Sequence, residues 1–200
     1  MLPPNKLRSA LSQTRLVAAH GPWTRIVGFR HLKGPPPGMT GPPQPLWGGA
    51  ARVDGARFTP RGGFDSIYLA WDPITALMEV QAIVLLPSGP VTLWAVPWAG
   101  VTVDGVVSNV LDLTKPAVLS ALGTTEQEMT GAWLKGNDAP TQTLARAAHD
   151  SGKIAAIKYH SAKHQGGMNL VVFPDRLAVT KTDYLEVYDP HGDLPQWLGS

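Results

Sequence analysis

Three side chains that can act on a polar substrate stand at even intervals in the first half of the chain: Arg57, Tyr68 and Glu79, eleven residues apart at each step. Glu79 follows Ile74, Leu77 and Met78, an apolar stripe at helical spacing, and falls beside that stripe where it can edge a cleft. A carboxylate held there can stabilise developing positive charge, hold a hydroxyl or orient an attacking group. Arg57 lies in a glycine-rich turn, and its planar guanidinium can fork onto phosphate oxygens in a way lysine reproduces poorly. Tyr68 offers a ring to stack on a flat group and a hydroxyl to reach a polar one. Ser161 follows a strand-like run and brings a small hydroxyl that can bond a sugar or the carboxylate. Each has an ordinary reading beside it: a solvated helix Glu, a surface ion pair, a core aromatic, a strand-end serine.

Other chemistries have weaker support. His160 or His164 beside Ser161 raises a serine hydrolase, but Tyr159-His160-Ser161-Ala162-Lys163 lacks the G-x-S-x-G elbow. The same two histidines have the four-residue spacing of a helical zinc pair without its Glu, so no metal is expected. Ser151-Gly152-Lys153 is not a phosphate-binding P-loop, and no G-x-G-x-x-G supports a Rossmann dehydrogenase. A non-catalytic binding module remains the alternative; Arg57, Glu79 and Ser161 opening onto one cleft with Tyr68 as a wall would favour the enzyme.

The elements that must position these residues read as follows. Asn5–Ala19 has helical spacing of leucines, and residues 1–20 form a helical extension. Trp23–Phe29 reads as a strand, followed by a Pro/Gly-rich loop over 33–50 that excludes regular structure and suits a binding loop or lid and, equally, a disordered insertion. Ser66–Ala70 reads as a strand; Asp72-Pro73 caps a helix that starts at Pro73. Val91–Trp98, Val101–Val103 and Val106–Leu113 read as consecutive strands, the last two joined by a turn at Asp104-Gly105. Helices are expected at Lys115–Ala121 behind a Thr114 cap, at Thr125–Leu134 and at Thr141–His149, then strands at Ile154–Tyr159 and Met168–Phe173. The mixture describes one α+β, or mixed α/β, domain.

With 200 residues, 44% of them hydrophobic and 16% charged, the chain can bury a core of its own. No cysteine is present, which excludes disulfides and thiolate metal sites and makes the cytoplasm the expected address. A net charge of +2 is too small for a protein devoted to the phosphate backbone of nucleic acid, though it suits a small anion. Neither a leader nor a membrane span is expected.

Gly55-Ala56-Arg57-Phe58, Ile67-Tyr68-Leu69-Ala70 and Thr75-Ala76-Leu77-Met78-Glu79 together resemble the central motif of the RES-domain family, named for its Arg, Glu and Ser. Leu111-Asp112-Leu113-Thr114, Thr141–Ala145, Tyr159-His160-Ser161-Ala162 and Met168–Phe173 continue the resemblance, which spans most of the chain from about Trp23 onward. It implies an ADP-ribosyltransferase-like split sheet flanked by helices over 21–200 and a substrate, NAD, that is hydrolysed, phosphorolysed or used to modify a protein. It also implies a toxin restrained by an Xre-type antitoxin. Breaking the nicotinamide bond builds oxocarbenium-like charge on ribose, which would fall to Glu79. Arg57 would then meet the pyrophosphate, Tyr68 the nicotinamide and Ser161 the ribose or the carboxylate. Arg25 matches an upstream family arginine on the phosphate side, with Arg30 close enough to compete. Lys163 departs from the arginine often found after the serine.

Overall fold

The computed structural model describes residues 1–32, 43–92, 97–133, 139–177, 182–194 and 196–199. In chain order the elements are α1 (Pro4–Gln13), β1 (Val17–His20), β2 (Trp23–Gly28), α2 (Phe29–Leu32), α3 (Gly49–Asp54), β3 (Ile67–Ala70) and α4 (Pro73–Glu79). They continue with β4 (Ile83–Leu86), β5 (Gly89–Thr92), β6 (Trp98–Asp112), α5 (Pro116–Ala121), α6 (Glu126–Thr130) and α7 (Pro140–Asp150). The chain ends through β7 (Ala156–His160), β8 (Met168–Val172), α8 (Pro174–Leu177), β9 (Tyr184–Val187) and β10 (Trp197–Gly199).

Eight strands form one mixed sheet in the order β10-β9-β6-β2-β3-β8-β7, with β1 added on β6, while β4 and β5 make a separate hairpin. The 15-residue β6 lies antiparallel to β2 from Trp98 to Val103 and parallel to β7 from Val110 to Asp112, so it touches both ends of the β2-β3-β8-β7 row. β3 pairs with β8 along four residues, but β2 and β3 share only the register pair Thr24↔Ala70 and then part. That parting splits the sheet. Alternate residues of the strands feed two cores. Tyr68, Ile157, Tyr159 and Val171 pack toward α1, α5, α6 and α7 with Leu7, Leu11, Leu122, Met129 and Leu144, while Leu69, Ala156, Leu170 and Val172 join Trp23, Val103 and Val107 on the opposite face.

The helix at Pro73 forms as its local signals require: the Asp72 side chain accepts from Thr75 N at 2.8 Å and proline occupies the first turn. Several expectations change. The helix over Asn5–Ala19 ends at Gln13, where Thr14 Oγ1 bonds back to Ala10 O; Val17–His20 is β1, drawn into pairing with β6. Leu7 and Leu11 are buried and pack with Leu122 and Leu144 in the core. Lys115, not Thr114, stands at the N-cap position of α5, without a side-chain capping hydrogen bond. Thr125 caps α6 as a side-chain acceptor, yet the helix stops at Thr130. In the Pro/Gly-rich stretch, residues 33–42 lie outside the described residues and Gly49 opens α3; residues 93–96 and 134–138, parts of the expected strand at Val91–Trp98 and helix at Thr125–Leu134, also lie outside them.

The largest difference is β6. Asp104-Gly105 makes no hairpin, because β6 continues through it and pairs with β9 over Val103–Val106. Glycine is needed there for close approach: a Cβ at position 105 would collide with the backbone oxygen of Tyr184. Gly105→Ala should therefore destabilise the fold by about 1–3 kcal/mol, the range of overpacked sites. Denaturant unfolding measures it, and an unchanged midpoint would restore the turn.

Candidate active site

The first register pair of the split leads directly to a cleft. Thr24, Ala70, Asn169 and Tyr159 stand side by side across β2, β3, β8 and β7, and all four line a cleft of about 600 Å³. That volume lies within the range of roughly 300–1,000 Å³ found for small-molecule sites. Arg25, Arg57, Tyr68, Glu79, Trp133 and Lys163 line it as well.

Glu79 ends α4 with its carboxylate pinned by two donors. Ser161 Oγ donates to Oε1 at 2.6 Å and Asn169 Nδ2 donates to the same oxygen at 2.7 Å. Among the described residues Oε2 has no hydrogen-bond partner. Ser161 itself does not line the cleft; it stands behind Glu79 and accepts the backbone N–H of Lys163 and His164. Its small hydroxyl could have met either a ribose or the carboxylate, and it is the carboxylate that receives it.

Tyr68 presents its ring to the cleft, but its hydroxyl is engaged within the protein. Tyr68 Oη accepts Phe58 N–H at 3.0 Å and lies 2.9 Å from Thr59 Oγ1, which ties β3 to the Arg57 turn. Burial pushes the phenol far above its ordinary range, against the hydrogen bonds to Thr59 and Phe58 that favour the phenolate. The hydroxyl's hydrogen-bond partners among the described residues are thus within the protein.

Arg57 sits in the turn closed by the Ala56↔Thr59 bridge, whose Ala56 carbonyl also accepts Gln142 Nε2 at 2.9 Å. Its Nη1 donates to Met129 O at 3.0 Å and Gly131 O at 2.8 Å, carbonyls at the C-terminal end of α6. One edge of the fork is therefore spent on the cleft wall, as a cation at a helix C-terminus.

Arg25 reaches into the gap where β2 leaves β3. It is only 8% exposed, with Nη2 donating to Trp47 O at 2.9 Å, Nη1 at 3.4 Å from Tyr68 O, and a buried Nε that has no partner among the described residues. Burial lowers its pKa to about 10. Arg30 stands outside the cleft, 78% exposed and 3.6 Å from Asp54, so between the two arginines the cleft holds Arg25.

Asn169 and Tyr159 are among the cleft residues missed by reasoning from sequence. Asn169 is a buried amide, 3% exposed, whose signal is a lone polar side chain in the apolar run Met168–Phe173. Tyr159 packs against Phe58 with ring centroids 4.5 Å apart, and burial first, then Tyr68 and Glu79, hold its phenol well above the ordinary range. Nothing in its local sequence separates it from a core aromatic. Among the described residues no group of three or more His, Cys, Asp or Glu could hold a metal, and no helix is long and apolar enough to cross a membrane.

No curated protein sequence matches the chain. Among solved structures, the crystal structure of the M. tuberculosis MbcT–MbcA toxin–antitoxin complex contains a similar fold, with a TM-score of 0.61 at 22% identity over 96% of this chain and 91% of that one. The sequence model of the RES domain matches residues 25–195, a span that includes the cleft from Arg25 to Asn169. The chain belongs to the RES-domain family.

Proposed function

We propose that the cleft binds NAD and breaks its nicotinamide–ribose bond, the protein serving as the toxin of a toxin–antitoxin pair. The observation that carries this reading is the lining of one cleft: among the described residues Glu79 is its one carboxylate, fixed by Ser161 and Asn169, and it shares the cleft with three cationic side chains, Arg25, Arg57 and Lys163. A dinucleotide matches that pattern, since its pyrophosphate is anionic while the reacting ribose becomes cationic.

In the reaction the C–N bond breaks with its electron pair leaving on nicotinamide, and positive charge develops at the ribose carbon. Glu79, oriented by Ser161 and Asn169, supplies fixed negative charge where that charge appears. Arg25 suits the pyrophosphate because a buried cation with only carbonyl partners gains most from an anion. Arg57 shares that task with its remaining donors while bracing the α6 end of the cleft. The Tyr68 ring offers an apolar face for nicotinamide. The acceptor that completes the reaction, losing a proton as it attacks, is water, inorganic phosphate or a protein side chain.

Kinship with the RES family and the fold shared with a toxin–antitoxin complex support a toxin held by an antitoxin; on this reading it acts in the cytoplasm and its antitoxin is of the Xre type. The test is mass spectrometry of products from NAD alone, with phosphate, and with cell lysate: the mass added to ADP-ribose identifies the acceptor, and intact NAD in all three mixtures ends the proposal.

Glu79→Gln should lower NAD turnover by about a hundredfold or more with an unchanged melting temperature, because it removes charge and little volume. Arg25→Met should raise KM for NAD while leaving stability unchanged or higher, since an apolar chain of similar length relieves an unpaired buried charge. Calorimetry beside the kinetics separates the two; a loss of stability would make Arg25 structural. Tyr68→Phe keeps the ring and strips the partner from a buried N–H, so it should cost about 1–3 kcal/mol of stability, with turnover by the folded fraction retained.

A further inference from the structure

Outside the cleft, a cluster of short hydrogen bonds joins the start of α4 to the turn between β7 and β8. Thr75 Oγ1 is fully buried, 2.5 Å from Asp72 Oδ2 and 2.6 Å from His164 Nδ1. None of these three residues lines the cleft. The hydrogens can be assigned from the chemistry. Thr75 has one, and the Asp72 carboxylate can only accept it, so His164 Nδ1 must be the donor to Thr75. Burial works against the Asp72 carboxylate, but the hydrogen bonds from the Thr75 side chain and backbone, followed by the nearby His164, outweigh it and hold the carboxyl below its ordinary range.

The same turn carries Ser161. Ser161 N donates to Gly167 O at 2.8 Å and Gly167 N to His164 O at 3.0 Å, closing the turn on itself. His164 N and Lys163 N donate to Ser161 Oγ at 2.9 and 3.1 Å. With its lone pairs so engaged, the one hydroxyl hydrogen is left for Glu79. Thr75 and Glu79 are four residues apart and share a face of α4, so the turn docks on that face by two rungs, His164 on Thr75 and Ser161 on Glu79. Glycine at 167 permits the docking, for a Cβ there would stand 2.5 Å from Thr75 Oγ1 and 3.0 Å from His164 Nδ1.

We propose that Asp72, Thr75 and His164 are positioning residues, a relay that seats the Ser161–Gly167 turn on α4 and thereby fixes the direction of the Glu79 carboxylate. The proposal rests on the reading of Glu79 as the group that meets the substrate. The relay touches no ligand, so its effect belongs in the chemical step.

Removing one rung by Thr75→Val or His164→Leu should lower kcat about tenfold to a hundredfold, as small misplacements of a reacting group do, and leave KM within about twofold. Thr75→Ser and His164→Asn retain the hydroxyl and the nitrogen donor and should restore kcat to within a few-fold of the parent. Because the groups act as one unit, the Thr75→Val/His164→Leu double variant should lose no more than the worse single variant. Amide hydrogen exchange provides a readout independent of turnover: Thr75→Val should speed exchange at Ser161 and Gly167 while α7 stays protected. If the parent protein consumes no NAD, the functional reading fails and exchange alone decides the relay. Unchanged exchange, additive kcat losses, or failure of Thr75→Ser to restore what Thr75→Val removes would each overturn it.

Discussion

Two hydrogens meet on one oxygen of Glu79, from Ser161 at a sequence separation of 82 and from Asn169 at 90. A carboxylate on a helix end rotates unless something holds it, and electrostatic catalysis needs charge that is fixed before the reaction begins. Ser161 and Asn169 supply that constraint from the turn and strand beside α4. The elements around them follow from this need: the Asp72 cap sets where α4 starts, and with it where Glu79 emerges seven residues later. β8 must run beside β3 so that Asn169 lies opposite Ala70, at the first pair of the split.

The two arginines of the cleft divide their labour in a manner that burial and partners explain. Arg57 is anchored on the carbonyls ending α6, so it builds the wall whatever else it binds. Arg25 has no carboxylate beside it among the described residues and keeps one buried donor unpartnered. Such a group lowers stability in the empty protein and is expected where selection favours binding over folding free energy. The Tyr68 hydroxyl works the other way: engaged with Phe58 and Thr59, it turns a residue that lines the cleft into a bolt for the Arg57 turn.

What is legible in the sequence is what local chemistry decides. Asp72-Pro73 and the apolar stripe after it specify α4 within four or five residues, and Glu79 falls at the margin of that stripe for the same reason. Asp104-Gly105 carries an equally local signal for a turn, but pairing with β9 on one side and with β2 and β1 on the other overrides it. Val17–His20 likewise continues a helical pattern and becomes a strand because β6 offers it a pairing edge. Ser161 and Tyr68 are identifiable as polar groups near the chemistry, yet whether each hydroxyl meets a ligand or another residue depends on partners 82 and 10 positions away. Tyr159 has no distinguishing signal at all; only the lateral row across four strands brings it to the cleft.

The row of strands beneath that cleft depends on the curvature of β6. One strand cannot flank both β2 and β7, with β3 and β8 between them, unless it wraps diagonally around the row it closes. The bend is visible in its pairing with β1, where Val17 faces Val110 but Ala19 faces Val107, so β6 carries one extra residue. Asn109, in the left-handed region at φ 57°, takes up that bulge, a conformation asparagine tolerates better than most side chains. Its carbonyl accepts Ala155 N at 3.1 Å just before β7 begins, and neighbouring Ser108 N donates to buried Asp183. The bulge is thus held on both sides, next to the segment of β6 that pairs with β7, whose other neighbour is β8, the strand that carries Asn169, and whose end leads into the Ser161 turn.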